Sequence, residues 1–367
     1  MPRIIDTLDA AVGRTPAHLD DDVDYLELQP APPALIGPSQ RYVAGWFEHF
    51  DGAFNFADTQ ALRLALQCWV HLSIDTPERF IVLNVADLGK AGQTAILVAD
   101  KVSGDFTHAA STRMFGRNEV TLTEDYRRFT DAATGSFMVM DDAHDRWSFS
   151  VHAGEVHLTG TARRVGGPAF TQVTRFQRMR GSLQRYGNII IEQALLTLGG
   201  EVHVIPPGTL GTFDHTVGHQ RGLQSWNWVA AVGRSTCVET GERSILGIQV
   251  AQDRAQARPM VRSFKHVVWV GDQLFKIPSA AFAYDYTDAE AKQTGEWRIA
   301  SEHQTGARWL DLRFAPRFHR RERKSVVLVN ADFNQYYGAL SGRIHVDGRT
   351  WQVDDMFAVT EESALEL

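Results

Sequence analysis

The chain lacks most of the features that announce a function. Among its 367 residues there are two cysteines, Cys68 and Cys237, far apart and each inside a strand-like run. A secreted disulfide scaffold carries cysteine far more densely, so both are expected to be small core residues in a reducing compartment. Neither sign of charge prevails: 37 Lys and Arg face 44 Asp and Glu, a formal net charge of -7. A nucleic-acid partner would want a basic face, and none dominates here. No apolar run approaches the length of a membrane span. The N-terminal Met1-Pro2-Arg3-Ile4-Ile5 lacks the charged lead and apolar run of a signal peptide. A cytoplasmic protein without stable membrane insertion is the simplest expectation. There is no glycine-rich phosphate loop, no Gly-x-Ser-x-Gly elbow and no cysteine cluster, so neither a cofactor nor a metal is expected.

Helical periodicity is also scarce. Asp58–Leu66 and Ala289–Lys292 are the only modest candidates. What fills the chain instead is alternation of period two, the mark of strands with two different faces. Residues 1–40 form a proline-rich arm. From there Gln67–Ile74, Phe80–Ala86 and Thr94–Asp100 read as a meander joined by short turns. Phe137–Met140, Arg146–Val151 and Glu155–Gly160 follow, the last two joined through Ala153-Gly154. Past residue 185 the pattern renews itself. It closes on Leu340–Val346 and Thr350–Val353 with Asp347-Gly348 between them, a strong hairpin signal. The βαβ alternation of a parallel sheet is absent. Roughly eighteen short strands at near-regular spacing imply an all-β protein of barrels or sandwiches, and its two meander halves suggest two similar barrels in tandem. The divisions expected are an arm at 1–40, one barrel at 41–185 and a second at 186–367. The basic run Arg317–Lys324 is expected to be a solvated loop or hairpin tip.

One stretch gathers the chemistry. Leu210–Gly233 carries Asp214, His215, His219, Arg221 and Gln224, then Trp226 and Trp228 at a spacing that puts both indoles on one strand face. An acid, two imidazoles and a guanidinium this close are costly to bury unless paired or used. Asp214 has two readings: a proton donor, or a structural acid that caps a turn or pairs with Arg221. His215 and His219 are four apart, but Gly218 and the β context spoil a zinc reading, which leaves a role in supporting the site or hydrogen bonding of a substrate oxygen by one of them. Alternation sends residues 214 and 215 to opposite faces. His49 and Asp51, in the aromatic segment Gly45–Phe56, form a second and weaker pair.

The run Gly211–Gly218 followed by Trp226 and Trp228 resembles a signature of the calycin, or lipocalin-like, proteins built from two barrels, the superfamily of carotenoid 1,2-hydratases (hydroxyneurosporene synthases). A relative known only as a domain of unknown function is more similar still. Its first barrel resembles Trp69–Gly104, with Pro77, Phe80, Ile81 and the run ending at Gly89. Its second resembles Glu296–Phe314, with Trp297 and Leu310-Asp311-Leu312. The family's closing acidic segment appears here only as Phe357–Glu362. The resemblance implies two tandem lipocalin-like antiparallel barrels, few helices, and a nonpolar cavity for a hydrophobic small molecule.

Two functions follow from it. One is a cofactor-independent acid-base enzyme of hydratase, isomerase or cyclase type on an isoprenoid-like or polyketide-like substrate. Asp214 would then be the catalytic acid with His215 and His219 beside it, and Trp226, Trp228, Arg221, Gln224, His49 and Asp51 would contact substrate. The other is a non-catalytic carrier of a lipophilic ligand built on the same cavity.

Overall fold

The computed structural model describes residues 27–47, 50–58, 65–89, 91–114, 120–122, 127–141, 145–176, 180–219, 223–253, 265–285, 289–326 and 329–366. It is nearly all strand and divides into two compact units, Glu27–Gln220 and Arg221–Leu367, each with its own curled antiparallel sheet. The 185/186 boundary read from the sequence falls inside a strand. The first unit runs on to Gln220 because the segment after that strand pairs back into the same sheet.

In the first unit the strands are β1 (Leu28–Gln29), β2 (Gly45–Phe47), β3 (Leu66–Asp75), β4 (Arg79–Asp87), β5 (Ala91–Asp100), β6 (Phe106–Met114) and β7 (Val120–Leu122). They continue as β8 (Arg128–Asp131), β9 (Ser136–Asp141), β10 (Arg146–Ala153), β11 (Val156–Phe176), β12 (Arg180–Leu198), β13 (Glu201–Ile205) and β14 (Leu210–His219). Their spatial order is β6-β5-β4-β3-β14-β12-β11-β10-β9-β8-β7, with β13 also on β12, β2 on β11, and β1 parallel to β2. Among the described residues, β14 is the strand that hydrogen-bonds to both local meanders. It lies between β3 and β12 in unbroken register on both sides. The first part of the stretch that drew attention in the sequence, Leu210–His219, is an interior strand of this sheet.

The second unit holds β15 (Leu223–Cys237), β16 (Arg243–Asp253), β17 (Val267–Val270), β18 (Gln273–Lys276) and β19 (Ala281–Ala283), then helix α1 (Ala289–Thr294). After it come β20 (Trp297–Ala300), β21 (Arg308–Val326), β22 (Val329–Val346) and β23 (Arg349–Glu366). The order is β18-β17-β16-β15-β23-β22-β21-β20-β19, so the first and last meanders close through β15 and β23. No described helix is long and apolar enough to cross a membrane.

Several strands are far longer than the alternation suggested. β11 and β12 run on as 21 and 19 residues because register shifts let them bend without breaking. One shift, between Val165 and Phe170, contains Gly166 (φ 73°) and Gly167 (φ 89°), left-handed positions that glycine fills without strain. In the second sheet Pro316 sits at the register shift of β21, where the missing amide hydrogen is tolerated. The basic run beyond it is strand, not loop. β22 lies opposite with acids and amides: Arg321 meets Asp332 through two bonds of 2.9 and 2.7 Å, and Arg320 reaches Gln335 Oε1 at 2.7 Å. The two hairpins expected at Gly154 and at Asp347-Gly348 are both present. Of the first helix candidate only the 3-10 turn Phe56–Asp58 and the start of β3 lie in the described residues. The second is α1, two residues longer than expected.

Each sheet wraps its own core. The first is filled by Val70, Leu72, Phe129, Phe149, Ile189, Phe213 and Val217, the second by Val229, Ile248, Trp297, Leu312, Phe314 and Trp351. Helix α1 is tied to the second by charge. Lys292 Nζ lies 2.9 Å from the Glu362 carboxylate, both side chains being largely buried, and the Trp297 indole donates to the Lys292 carbonyl at 3.0 Å. Breaking such a pair leaves an uncompensated buried charge. Lys292→Met is therefore expected to lower stability by about 3 kcal/mol in urea titration, with much of the loss recovered in the Lys292→Met, Glu362→Gln double variant. Tyr284, partly buried, packs against this core. It stacks on Trp297 at 4.0 Å and accepts a hydrogen bond from Asn227 at 2.9 Å.

Candidate functional site

Along β14 the side chains alternate between two environments, and the expected catalytic residues divide accordingly. Phe213, His215, Val217 and His219 point into the first core; Thr212, Asp214 and Thr216 point to the opposite face. Alternation thus separates both histidines from Asp214.

On the core side both histidines are packed among buried side chains. His215 is fully buried, its Nε2 3.6 Å from Cys68 Sγ and its ring edge-on to Phe129. Burial first, then the nearby Arg185 and Arg127, holds its pKa well below the ordinary histidine value, so it is neutral. Burial, with the carboxylates of Asp87 and Asp214 adding to it, pushes the Cys68 thiol up, which keeps it from acting as a thiolate. His219 is held by Tyr42: the hydroxyl donates to Nδ1 at 2.8 Å and accepts the His219 backbone N–H at 2.9 Å. Burial and Arg180 lower its pKa to about 4. This pair fastens the segment before β2 to the end of β14. Tyr42→Phe orphans two buried polar groups and is expected to cost about 2 kcal/mol of stability in urea titration, while leaving ligand turnover unchanged.

The other face carries the polar groups. Cross-strand register arranges them in rows: Asn188, Thr212 and Ser73; Tyr186, Asp214, His71 and Asn84; Gln184, Thr216 and Trp69. Residues directly opposite have Cβ atoms about 5 Å apart, so Asp214 stands between Tyr186 and His71. Asp214 is half-buried, and Thr216 Oγ1 donates to its Oδ1 at 3.0 Å. Tyr186 is buried and stacks on Phe170 at 5.7 Å, with Trp46 beyond at 6.3 Å. His71 is 5% exposed, and burial drives its pKa down to about 4. A carboxyl group, a neutral imidazole and a phenol, with an aromatic row beside them, are the side-chain types that can donate and accept protons.

His71 and Tyr186 were missed in the sequence because they stand on β3 and β12, and register across such separations is not written in local pattern. A signal existed for His71. Gln67, Trp69, His71 and Ser73 alternate with the apolar Cys68, Val70, Leu72 and Ile74, a polar face on a strand that could have been apolar on both.

Trp226, Trp228 and Gln224 lie on β15, in the second unit, so Leu210–Gly233 is split between two sheets. Trp226 and Trp228 do share a face. Trp226 Nε1 donates to Glu361 Oε2 at 2.8 Å, and Gln335 Nε2 donates to the other carboxylate oxygen at 2.7 Å. Burial raises the Glu361 pKa against the opposing pull of these two bonds and of Arg320. Glu361 thus anchors an indole that had been expected to contact substrate. Asp51 is exposed, and His49 and Arg221 lie outside the described residues. Among the described residues no group of three His, Cys, Asp or Glu side chains could hold a metal ion. An open groove of about 460 Å³ runs beside β19 and β20, between Ala283 and Thr305, and contains none of the expected site residues.

The family described as Domain of unknown function (DUF2804) matches residues 37–366. This bears out the resemblance drawn on Trp69–Gly104 and Glu296–Phe314. No curated protein matches the sequence. Among solved structures, CghA is 9% identical with a TM-score of 0.50, over 82% of this chain and 88% of that one. Kievitone hydratase from Nectria haematococca is 11% identical with a TM-score of 0.46, over 81% and 88% of the two chains. An AttH-type protein from Nitrosomonas europaea is 12% identical with a TM-score of 0.47, over 80% and 92%. At these identities the likeness is one of fold alone.

Proposed function

The chain belongs to the DUF2804 family, and on that premise we propose that it is a cofactor-independent acid-base enzyme of hydratase, isomerase or cyclase type acting on a hydrophobic small molecule. The observation that carries this reading is the row Tyr186, Asp214, His71, which joins three strands on one face of the first sheet.

In its acid form Asp214 delivers a proton to one carbon of a carbon–carbon double bond. The cation left on the neighbouring carbon faces the rings of Tyr186 and, one row along, Trp69, whose quadrupoles favour it by about 0.5–2 kcal/mol per contact. Capture by water gives a protonated alcohol, loss of a neighbouring proton gives the shifted alkene, and capture by a second double bond followed by proton loss gives a ring. In each case the proton released is taken by neutral His71. A base with a pKa of about 4 suffices, since protonated alcohols and carbocations are far stronger acids. Its cross-strand neighbour Asp214 then recovers that proton. The histidine in this role is His71; His215 and His219 face the core.

The test begins with native mass spectrometry of protein purified from its own host, to find a co-purified small molecule. That molecule is then incubated in D2O with the protein and no added metal or cofactor. Conversion, or deuterium appearing on carbon, is the expected result. A ligand that is bound and returned without conversion or exchange would replace the enzyme with the carrier.

A further inference from the structure

The face that bears Asp214 is unusual in what it leaves unpaired. Buried polar side chains nearly always find a hydrogen-bond partner. Here both amide atoms of Asn188, Gln184 Oε1, Ser182 Oγ and Gln67 Oε1 have none among the described residues, although the four side chains are 1%, 6%, 0% and 2% exposed. All four are on the Asp214 face by register. Gln184 and Asn188 flank Tyr186 on β12, and Ser182 pairs with Gly218, which pairs in turn with Gln67. The core face of the same strands carries Val70, Leu72, Leu183, Ile189 and Val217, with His215, His219 and Arg185 among them. An aliphatic side chain at these positions would bury more apolar surface without an unmet polar atom, so this cluster costs stability. Such costs are characteristic of sites whose polar groups are completed by a ligand.

Resting on the acid-base reading above, we propose that the substrate is an oxygenated, ring-bearing molecule and not a hydrocarbon isoprenoid: its hydroxyl or carbonyl groups complete the amides of Asn188 and Gln184, one on each side of the Asp214 row. The two amide positions are four residues apart on a strand, roughly 13 Å along it. That span fits two oxygen functions at opposite ends of about three fused rings. Asn188 supplies both a donor and an acceptor, so it can hold a hydroxyl or a carbonyl; Gln184 Oε1 accepts and so selects a hydroxyl. The stacked Tyr186 and Phe170 between and beside them provide the flat apolar surface for the rings.

The test uses the full chain and two probes of one skeleton, 2,6-dihydroxyanthraquinone and anthracene, with binding followed by tryptophan fluorescence. The oxygenated probe is expected to bind at least tenfold more tightly than the hydrocarbon. Asn188→Leu and Gln184→Leu should each weaken it about tenfold while leaving anthracene unchanged or tighter. Both variants, free of ligand, should melt at or above the wild-type temperature, since the atoms removed have no described protein partner. Equal affinity for the two probes, no binding of the quinone, or leucine variants that lose stability would each overturn the proposal. The readout is binding, so it separates from the catalytic reading. Amide-dependent binding without deuterium exchange into the native ligand would leave this inference standing and remove the enzyme.

Discussion

Asp214→Asn is expected to lower turnover of the co-purified ligand by about 10²–10⁴-fold while its affinity stays within about threefold of wild type. The asparagine has the same shape and still accepts the Thr216 hydroxyl hydrogen bond, so the strand and its rows persist. What it loses is the ability to give up a proton. That split between rate and affinity separates a proton donor from a structural acid, whose loss would appear as lowered stability and weaker binding together. Tyr186→Phe should be milder, because the ring that faces the cation remains. If Asp214→Asn turns over at the wild-type rate, the acid has been misassigned.

The second large effect is acid lability. His71 and His219 are held at about 4 and His266 at about 3, in each case chiefly by burial. The unfolded chain titrates near 6.5. Because the folded values are depressed, the unfolded state binds more protons in this window. The contribution is complete above about pH 6.5 and is lost as pH falls through the folded values. Each histidine withholds two units or more, roughly 3 kcal/mol apiece. Set against a total stability of about 5–15 kcal/mol, three such groups bring the transition above pH 4. Asp75 and Glu361, whose values are raised by burial, pull the other way over the same range but are fewer. A pH titration followed by circular dichroism should show cooperative unfolding between pH 6 and 4, and His266→Gln should move its midpoint downward. A protein still folded at pH 3.5 would contradict these assignments.

How much of this was legible in the residues depends on the distance over which the information acts. Strand positions were readable because alternation is local: Gln67–Ile74 became Leu66–Asp75, and Arg146–Val151 became Arg146–Ala153. Strand lengths were not, since β21 runs on through Arg317–Lys324 paired with the distant β22, whose Asp332 and Gln335 bond its arginines. The candidate site divides in the same way. Asp214 stood out through its own neighbours, and its opposition to His215 followed from parity. The side chains that give it chemical meaning, His71 and Tyr186, come from strands whose register no local pattern records. Nor could the sequence show that β14 and β15, a few residues apart, belong to separate sheets.

The place of β14 has a consequence for how the chain comes to be folded. The β3–β6 meander can form as soon as it is synthesised, yet its β3 edge has to wait for a partner: Ser73 and Thr212, bonded to each other at 2.6 Å, are 139 residues apart. During that interval β3 is an open edge with apolar side chains on one face, a template for pairing with the wrong chain. The second sheet repeats the problem, since Trp226 and its partner Glu361 are separated by 135 residues. Both sheets therefore close late, over long loops whose ordering must precede the contacts that reward it. Slow folding and a need for protection of nascent edges follow from the strand order alone.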